Sequence, residues 1–222
     1  MNIKKAFTLA EVLMVVGIVG TVATLAITNS RKESDMQEKI AQLRKSQTTI
    51  EAAIQASIDT NGEMKNWPTT DAVKTYIFPY LKLKKDCANT TSTACWKNKS
   101  IKGTAKIASS GLNIYSNTNY AKAILANGSS IGISFDSSLS NLATGYGYTG
   151  KYAGFVIVDV NGPKKGKASW GDDVFLFIMT PEDGLIPAGV NMKLKAENGC
   201  PTNLDLCTDW AISHGNQDYF KN

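Results

Sequence analysis

The chain has 222 residues, 43% of them hydrophobic and 19% charged. That composition excludes wholesale disorder, a collagen-like repeat and a protein built from many membrane spans. The formal net charge of +5 rests on 24 basic and 19 acidic groups. Only Arg31 and Arg44 are arginine, and base readout in nucleic acid favours the planar arginine fork over lysine. One histidine, His214, leaves a histidine-based metal site or a Ser/His/Asp triad little to work with.

The chain opens with a basic pair, Lys4-Lys5, and residues 7–27 then read FTLAEVLMVVGIVGTVATLAI, with Glu11 the one ionisable residue. From Val12 to Ser30 there is no charge, and Arg31-Lys32 closes the run. At about 1.5 Å rise per residue, about 20 helical residues cover the roughly 30 Å hydrocarbon core, so the run predicts one membrane span. No other stretch is apolar enough for a second. Lys4-Lys5 favours a cytoplasmic N-terminus, and Arg31-Lys32 opposes it. The plain alternative is a cleavable secretory signal, for which the threonines and alanines of Thr21–Ala26 imitate a cleavage site. Against it, the run is longer than a usual signal core and carries an acid near its start.

Glu11 is the informative residue. A carboxylate within hydrocarbon costs roughly 2.5–3.5 kcal/mol on insertion scales, so it calls for a partner. Cleavage between Ala6 and Phe7 would supply a cationic α-amine. That amine lies about one turn from Glu11 in the same helix, and a neighbouring helix staggered by a turn would pair the two between chains. The bland alternative is a protonated or snorkelling Glu11.

The stretch Lys4-Lys5-Ala6-Phe7-Thr8-Leu9-Ala10-Glu11-Val12-Leu13 resembles the leader and N-methylation motif of type IV pilins and type II secretion pseudopilins. The resemblance implies a leader of residues 1–6 cut by prepilin peptidase before Phe7, N-methylation of Phe7, and Glu11 as the residue guiding assembly. Ala6 stands where the family usually has Gly. It further implies a pilin-like α+β fold, with a long N-terminal helix whose apolar half spans the inner membrane and whose other half packs on an antiparallel β-sheet head. The domains are then the leader (1–6), a transmembrane and assembly helix (7–30) and an extracytoplasmic head (31–222).

Beyond the apolar run, Met36, Ile40, Leu43, Ile50, Ile54 and Ile58 recur at helical spacing, with Gln47 filling one slot. Asn61-Gly62 is a stop signal. No proline interrupts residues 1–60, which predicts one helix from about Phe7 to Thr60, roughly 80 Å long at about 1.5 Å per residue. Gly17 and Gly20 lower helix propensity and invite a bend. The stripe needs an apolar partner: a sheet, or failing that a coiled-coil stalk. Trp67-Pro68-Thr69-Thr70-Asp71 reads as an N-cap region before a short helix over 70–79. Leu81-Lys82-Leu83-Lys84-Lys85 reads as its solvated end.

The second half is β-rich. Residues 121–126, the Asn127-Gly128 turn and residues 129–135 predict a hairpin. Residues 154–160 and 173–179 are further strands, with turns at 161–166 and 181–184. Short connections predict an antiparallel meander, whose apolar face takes the helix stripe in a two-layer head. The segments Val158–Pro163 and Trp170–Phe175 also resemble a stretch recurring in pilin-like secretion proteins. Residues 128–150, rich in Ser, Thr and Gly, read as a surface loop.

Cys87 and Cys95 bracket one polar loop, and Cys200 and Cys207 another. Neither spacing is C-x-x-C, and no histidine is near, which argues against zinc. In an oxidising compartment they form disulfides. Of the three possible connectivities, the two local loops are preferred. Asp159, Asn161, Asp172 and Asp173 are candidate calcium ligands, or else turn residues bonding their own backbone. His214 reads as a loop residue, and Trp210, Tyr219 and Phe220 as cover for the sheet.

No phosphate loop, nucleophile elbow or redox pair is present, so catalysis is not expected. The first expectation is a structural subunit, inserted singly in the inner membrane and assembled by a membrane platform into a homo- or hetero-oligomeric filament in the periplasm or at the cell surface. The second is a minor pilin acting as a binding module at a filament tip. It would hold DNA or a surface through the basic stretches Leu81–Lys85 and Pro163–Lys167. The third is an anchored exported enzyme, which lacks a nucleophile–base pair.

Overall fold

In the computed structural model, residues 9–69, 71–91, 93–96, 100–107, 114–136, 143–163, 165, 168–193 and 199–220 are described. Helix α1 spans Leu9–Asn61. The chain divides into two compact units, residues 1–38 and 39–222.

In the first unit the described side chains of Leu13, Met14, Val15, Val16, Ile18 and Val19 are all more than half exposed, as is Ile27. They form one short run, Leu13–Val19, and isolated positions beyond it. Among the described residues no helix is long and apolar enough to cross a membrane.

The second unit is α+β. Six strands, β1 (Leu83–Ala88), β2 (Ala121–Leu125), β3 (Ser130–Ile133), β4 (Gly154–Asp159), β5 (Val174–Thr180) and β6 (Gly184–Pro187), form one sheet in the order β1-β2-β3-β4-β5-β6. Every neighbouring pair is antiparallel, so the predicted meander is found. The Asn127-Gly128 turn closes β2 onto β3, with Gly128 N–H donating to Leu125 C=O at 2.9 Å.

Both sheet faces are covered. One face, with Ala123, Leu125, Ile131, Val156, Val158, Phe175 and Phe177, shares a core with Leu43, Ile50, Ala53 and Ile54 of α1. The helical stripe thus meets the sheet, as its spacing predicts. The other face, with Ile124, Ile157, Val174 and Leu176, packs against Trp96, Ile114, Tyr120, Trp170 and Leu206 from the connecting segments. The expected two-layer head therefore gains a third layer of loops. This explains why β5 reads VFLFIM before its closing Thr180, a continuous apolar run in place of alternation.

Three further expectations are corrected, and one is refined. The stripe's middle slot belongs to Ser46, fully buried, because the Asn127 amide comes close enough to donate to Ser46 Oγ at 2.9 Å; Gln47 is half-buried and bonds Glu51. Leu81–Lys85 is no helix end: Leu83–Ala88 is edge strand β1, with Lys84, Lys85 and Asp86 exposed and two register shifts. Lysines and bulges on an edge discourage pairing with another sheet. The short helix predicted over 70–79 is found, as a π turn at Val73–Ile77 followed by a 3₁₀ turn at Phe78–Tyr80, with Pro79 in the latter. Residues 128–150 are partly strand β3, with Ser129 and Ser130 fully buried. Strand β6 went unpredicted, since Leu185-Ile186-Pro187 is too short to show a period.

The C-terminal segment ends the fold with α2 (Thr208–His214). His214 is the last residue of this helix rather than a loop residue, and its ring stacks on Trp210 at 3.6 Å. Tyr219 is buried in the core, whereas Phe220 is 47% exposed.

Burial sets an alkaline limit. Tyr120 is 7% exposed, and burial pushes its pKa up to about 12. The folded chain therefore keeps a proton that the unfolded chain loses above about pH 10. Stability is present below that pH and falls as pH climbs from roughly 10 to 12, by on the order of 2–3 kcal/mol for Tyr120 alone. Urea midpoints of the full chain across this range check it. A Tyr120→Phe variant with the same alkaline slope would refute the assignment.

Candidate functional site

One groove gathers both basic stretches singled out in the sequence. Strand β1 supplies Lys84 and Lys85, the segment after β4 supplies Lys165, and α1 contributes Gln42. Ile124 and Val160 give it apolar surface, and its volume is about 560 Å³. All three lysines are exposed. No acidic side chain lines it among the described residues. Lysines 164, 166 and 167 lie outside the described residues.

A second groove carries the opposite sign. It runs between α1, at Glu51, Gln55 and Ile58, and the turn Pro181-Glu182-Asp183-Gly184 that joins β5 to β6, with a volume of about 500 Å³. Glu182 and Asp183 are exposed, and Asp183 accepts a hydrogen bond from the Tyr148 hydroxyl. Burial, with the Asp183 carboxylate beside it, pushes the Tyr148 pKa up to about 12.

The calcium candidates do other work. Asp159 Oδ1 accepts from the backbone N–H groups of Asn161 at 2.9 Å and Gly162 at 3.1 Å. Asp173 Oδ1 accepts from Ser169 N–H at 2.6 Å, and its Oδ2 from the Asn161 amide at 3.1 Å. Burial raises the Asp173 pKa above the usual carboxylate value. Asp172 pairs with Lys39 of α1. The two turns are thus stapled by their own carboxylates, as turn-forming Asx residues are. Among the described residues no group of three or more His, Cys, Asp or Glu is placed to hold a metal ion.

The cysteines pair locally, Cys87 with Cys95 and Cys200 with Cys207. The second loop carries a residue that the sequence did not flag. Asp205 is fully buried, and its two carboxylate oxygens accept from Lys106 N–H at 3.0 Å and Ile107 N–H at 2.9 Å. It ties the 100–107 segment to the disulfide loop. Burial raises its pKa above the ordinary value. Lys122 was also missed: it is fully buried on β2 and donates to the Asn117 carbonyl at 2.7 Å. Burial lowers its pKa.

Of the processing and assembly residues, Ala6 and Phe7 lie outside the described residues, and Glu11 lies within α1 with its side chain outside them.

No family model, curated protein or solved structure matches the chain.

Proposed function

We propose that the chain is a structural subunit of a pilin-like filament, a type IV pilus or a type II secretion pseudopilus, anchored in the inner membrane before assembly. The observation that carries this reading is the N-terminal register: basic pair, Phe7, Glu11 and an uncharged apolar run through Ser30. A helix packed on an antiparallel meander supports it, since that is the fold the resemblance implies. In this reading prepilin peptidase removes residues 1–6 and methylates Phe7. The helices leave lipid for one another's company, and Glu11 meets the new amine of a neighbour. Burial changes little when lipid is exchanged for helix, so an assembly platform must drive the step.

Mass spectrometry of the chain purified from a host with prepilin peptidase tests it. The mature product should begin at Phe7 and carry one methyl group, and Glu11→Gln should depress polymerisation while leaving the head folded. A product that still begins at Met1, or filaments unaffected by the Glu11 change, would overturn the reading.

A second reading, a tip-located binding module, is favoured by one observation: the groove that unites Lys84, Lys85 and Lys165. DNA retention that falls steeply with salt would support it, and no retention at low salt removes it.

A further inference from the structure

The two grooves have opposite charge and lie at opposite ends of the strands: the basic one takes in the β2–β3 turn and the segment leaving β4 as well as β1, while the acidic turn joins β5 to β6 at the other end. Lys84 and Lys85 lie on β1, the first strand in the sheet order, while Glu182 and Asp183 sit in the turn between β5 and β6, the last two. At about 4.8 Å per strand step the two outer strands stand roughly 24 Å apart. We propose that the basic groove of one copy receives the acidic turn Pro181-Glu182-Asp183-Gly184 of a second copy. The pairing rests on the filament reading and specifies how neighbouring heads meet.

Three features select this occupant. The groove is bounded, at about 560 Å³, and thus the size of a site for a small ligand or a few side chains. A nucleic-acid path is an extended track along many phosphates. Base readout in nucleic acid favours the arginine fork, and the groove's named cations are lysines with no arginine among them. Its walls include Ile124 and Val160, and Pro181 supplies the turn with apolar surface to meet them.

The symmetry then follows. A patch that contacts a different patch on the next copy makes a heterologous interface, which repeats without closing unless the rotation happens to complete a ring. The edge lysines, which block backbone pairing with a foreign strand, here also choose the partner by charge.

Carbodiimide coupling of the full chain in detergent, using an equal mixture of light and isotope-heavy copies, tests the contact. Peptides joining Lys84, Lys85 or Lys165 of one isotope to Glu182 or Asp183 of the other are expected. The double change Lys84→Glu with Lys85→Glu removes two of the coupling amines, so its readout is the remaining Lys165 link, whose yield should fall at least roughly tenfold, as should the yield of all the links at high salt. Combining it with Glu182→Lys and Asp183→Lys should restore association, read as co-purification of differently tagged copies. All four side chains are exposed, and retained urea midpoints establish that each variant folds. Cross-copy links that are absent or map elsewhere would overturn the proposal, as would DNA that displaces the links and co-purifies with the chain. The same samples report the N-terminus. A start at Phe7 without the link removes this contact and leaves the filament reading. A start at Met1 with the link removes the filament reading and leaves the contact.

Discussion

Truncating Phe177 to alanine is expected to cost about 3–5 kcal/mol of folding stability, the range for a large aromatic removed from a packed core. Phe177 is fully buried on β5. It stands opposite Val156 on one side and Pro187 on the other, so its strand is hydrogen-bonded along both edges. It belongs to the core that receives Leu43, Ile50 and Ile54 from α1. With strands fixed on either side, the backbone cannot collapse into the space left behind, which places the cost at the upper part of the range. A typical domain has only about 5–15 kcal/mol in hand. Urea unfolding followed by tryptophan fluorescence would show a lower midpoint at an unchanged slope. The same truncation at Phe220, 47% exposed, should fall within about 0.5 kcal/mol of the parent chain. A loss under about 1 kcal/mol at Phe177 would mean that this face of the sheet is not packed as described.

The second large effect is expected at Gly189. Its φ is +90°, and a Cβ there would lie 1.9 Å from the Leu206 carbonyl oxygen. That neighbour is backbone, held in the loop closed by Cys200–Cys207, and cannot swing aside as a side chain does. Gly189 N–H also donates to the Tyr146 carbonyl at 2.8 Å, and Ala188 C=O accepts from Asp209 N–H at 3.1 Å. The exit of β6, the 3₁₀ turn Thr144–Tyr146 and the C-terminal segment therefore converge on one spot with no room for a methyl group. Gly189→Ala should cost more than about 4 kcal/mol, enough to undo the seat of the C-terminal segment. Gly184→Ala is the control. Its φ is +75° and nothing lies within 4 Å of the added atom, so only the left-handed backbone is penalised, at about 1–2 kcal/mol. Hydrogen exchange of residues 204–214 separates the two, and equal losses would show that conformation, and not contact, sets both.

What could be read in advance follows from how far each signal reaches along the chain. The stripe Ile40, Leu43, Ile50 and Ile54 and the Asn127-Gly128 hairpin are local patterns, and the structure keeps both. The local disulfides follow the same logic. Ser46 for Gln47 turns on which helical position the Asn127 amide approaches, a tertiary fact no periodicity carries. Leu81–Lys85 misled because alternating Leu and Lys fits a strand as well as a helix end, and the deciding partner, β2, lies some forty residues on. Asp205 and Lys122 look like ordinary surface charges; Asp205 is capped by Lys106 N–H, 99 residues away in sequence, and the close Asn117 carbonyl that receives Lys122 carries no pattern that marks it. The groove was legible in halves: each basic stretch was visible, but their convergence required the sheet.

The strand order carries a consequence for biosynthesis. Because each strand bonds only to those before and after it in the chain, no early strand waits for a late one to complete its ladder. The pairs joined by tight turns, β2 with β3 and β5 with β6, close fast because the loops they shut are short. A head produced at ribosomal pace can be laid down strand upon strand as each arrives, leaving one ragged border at a time for chaperones to guard.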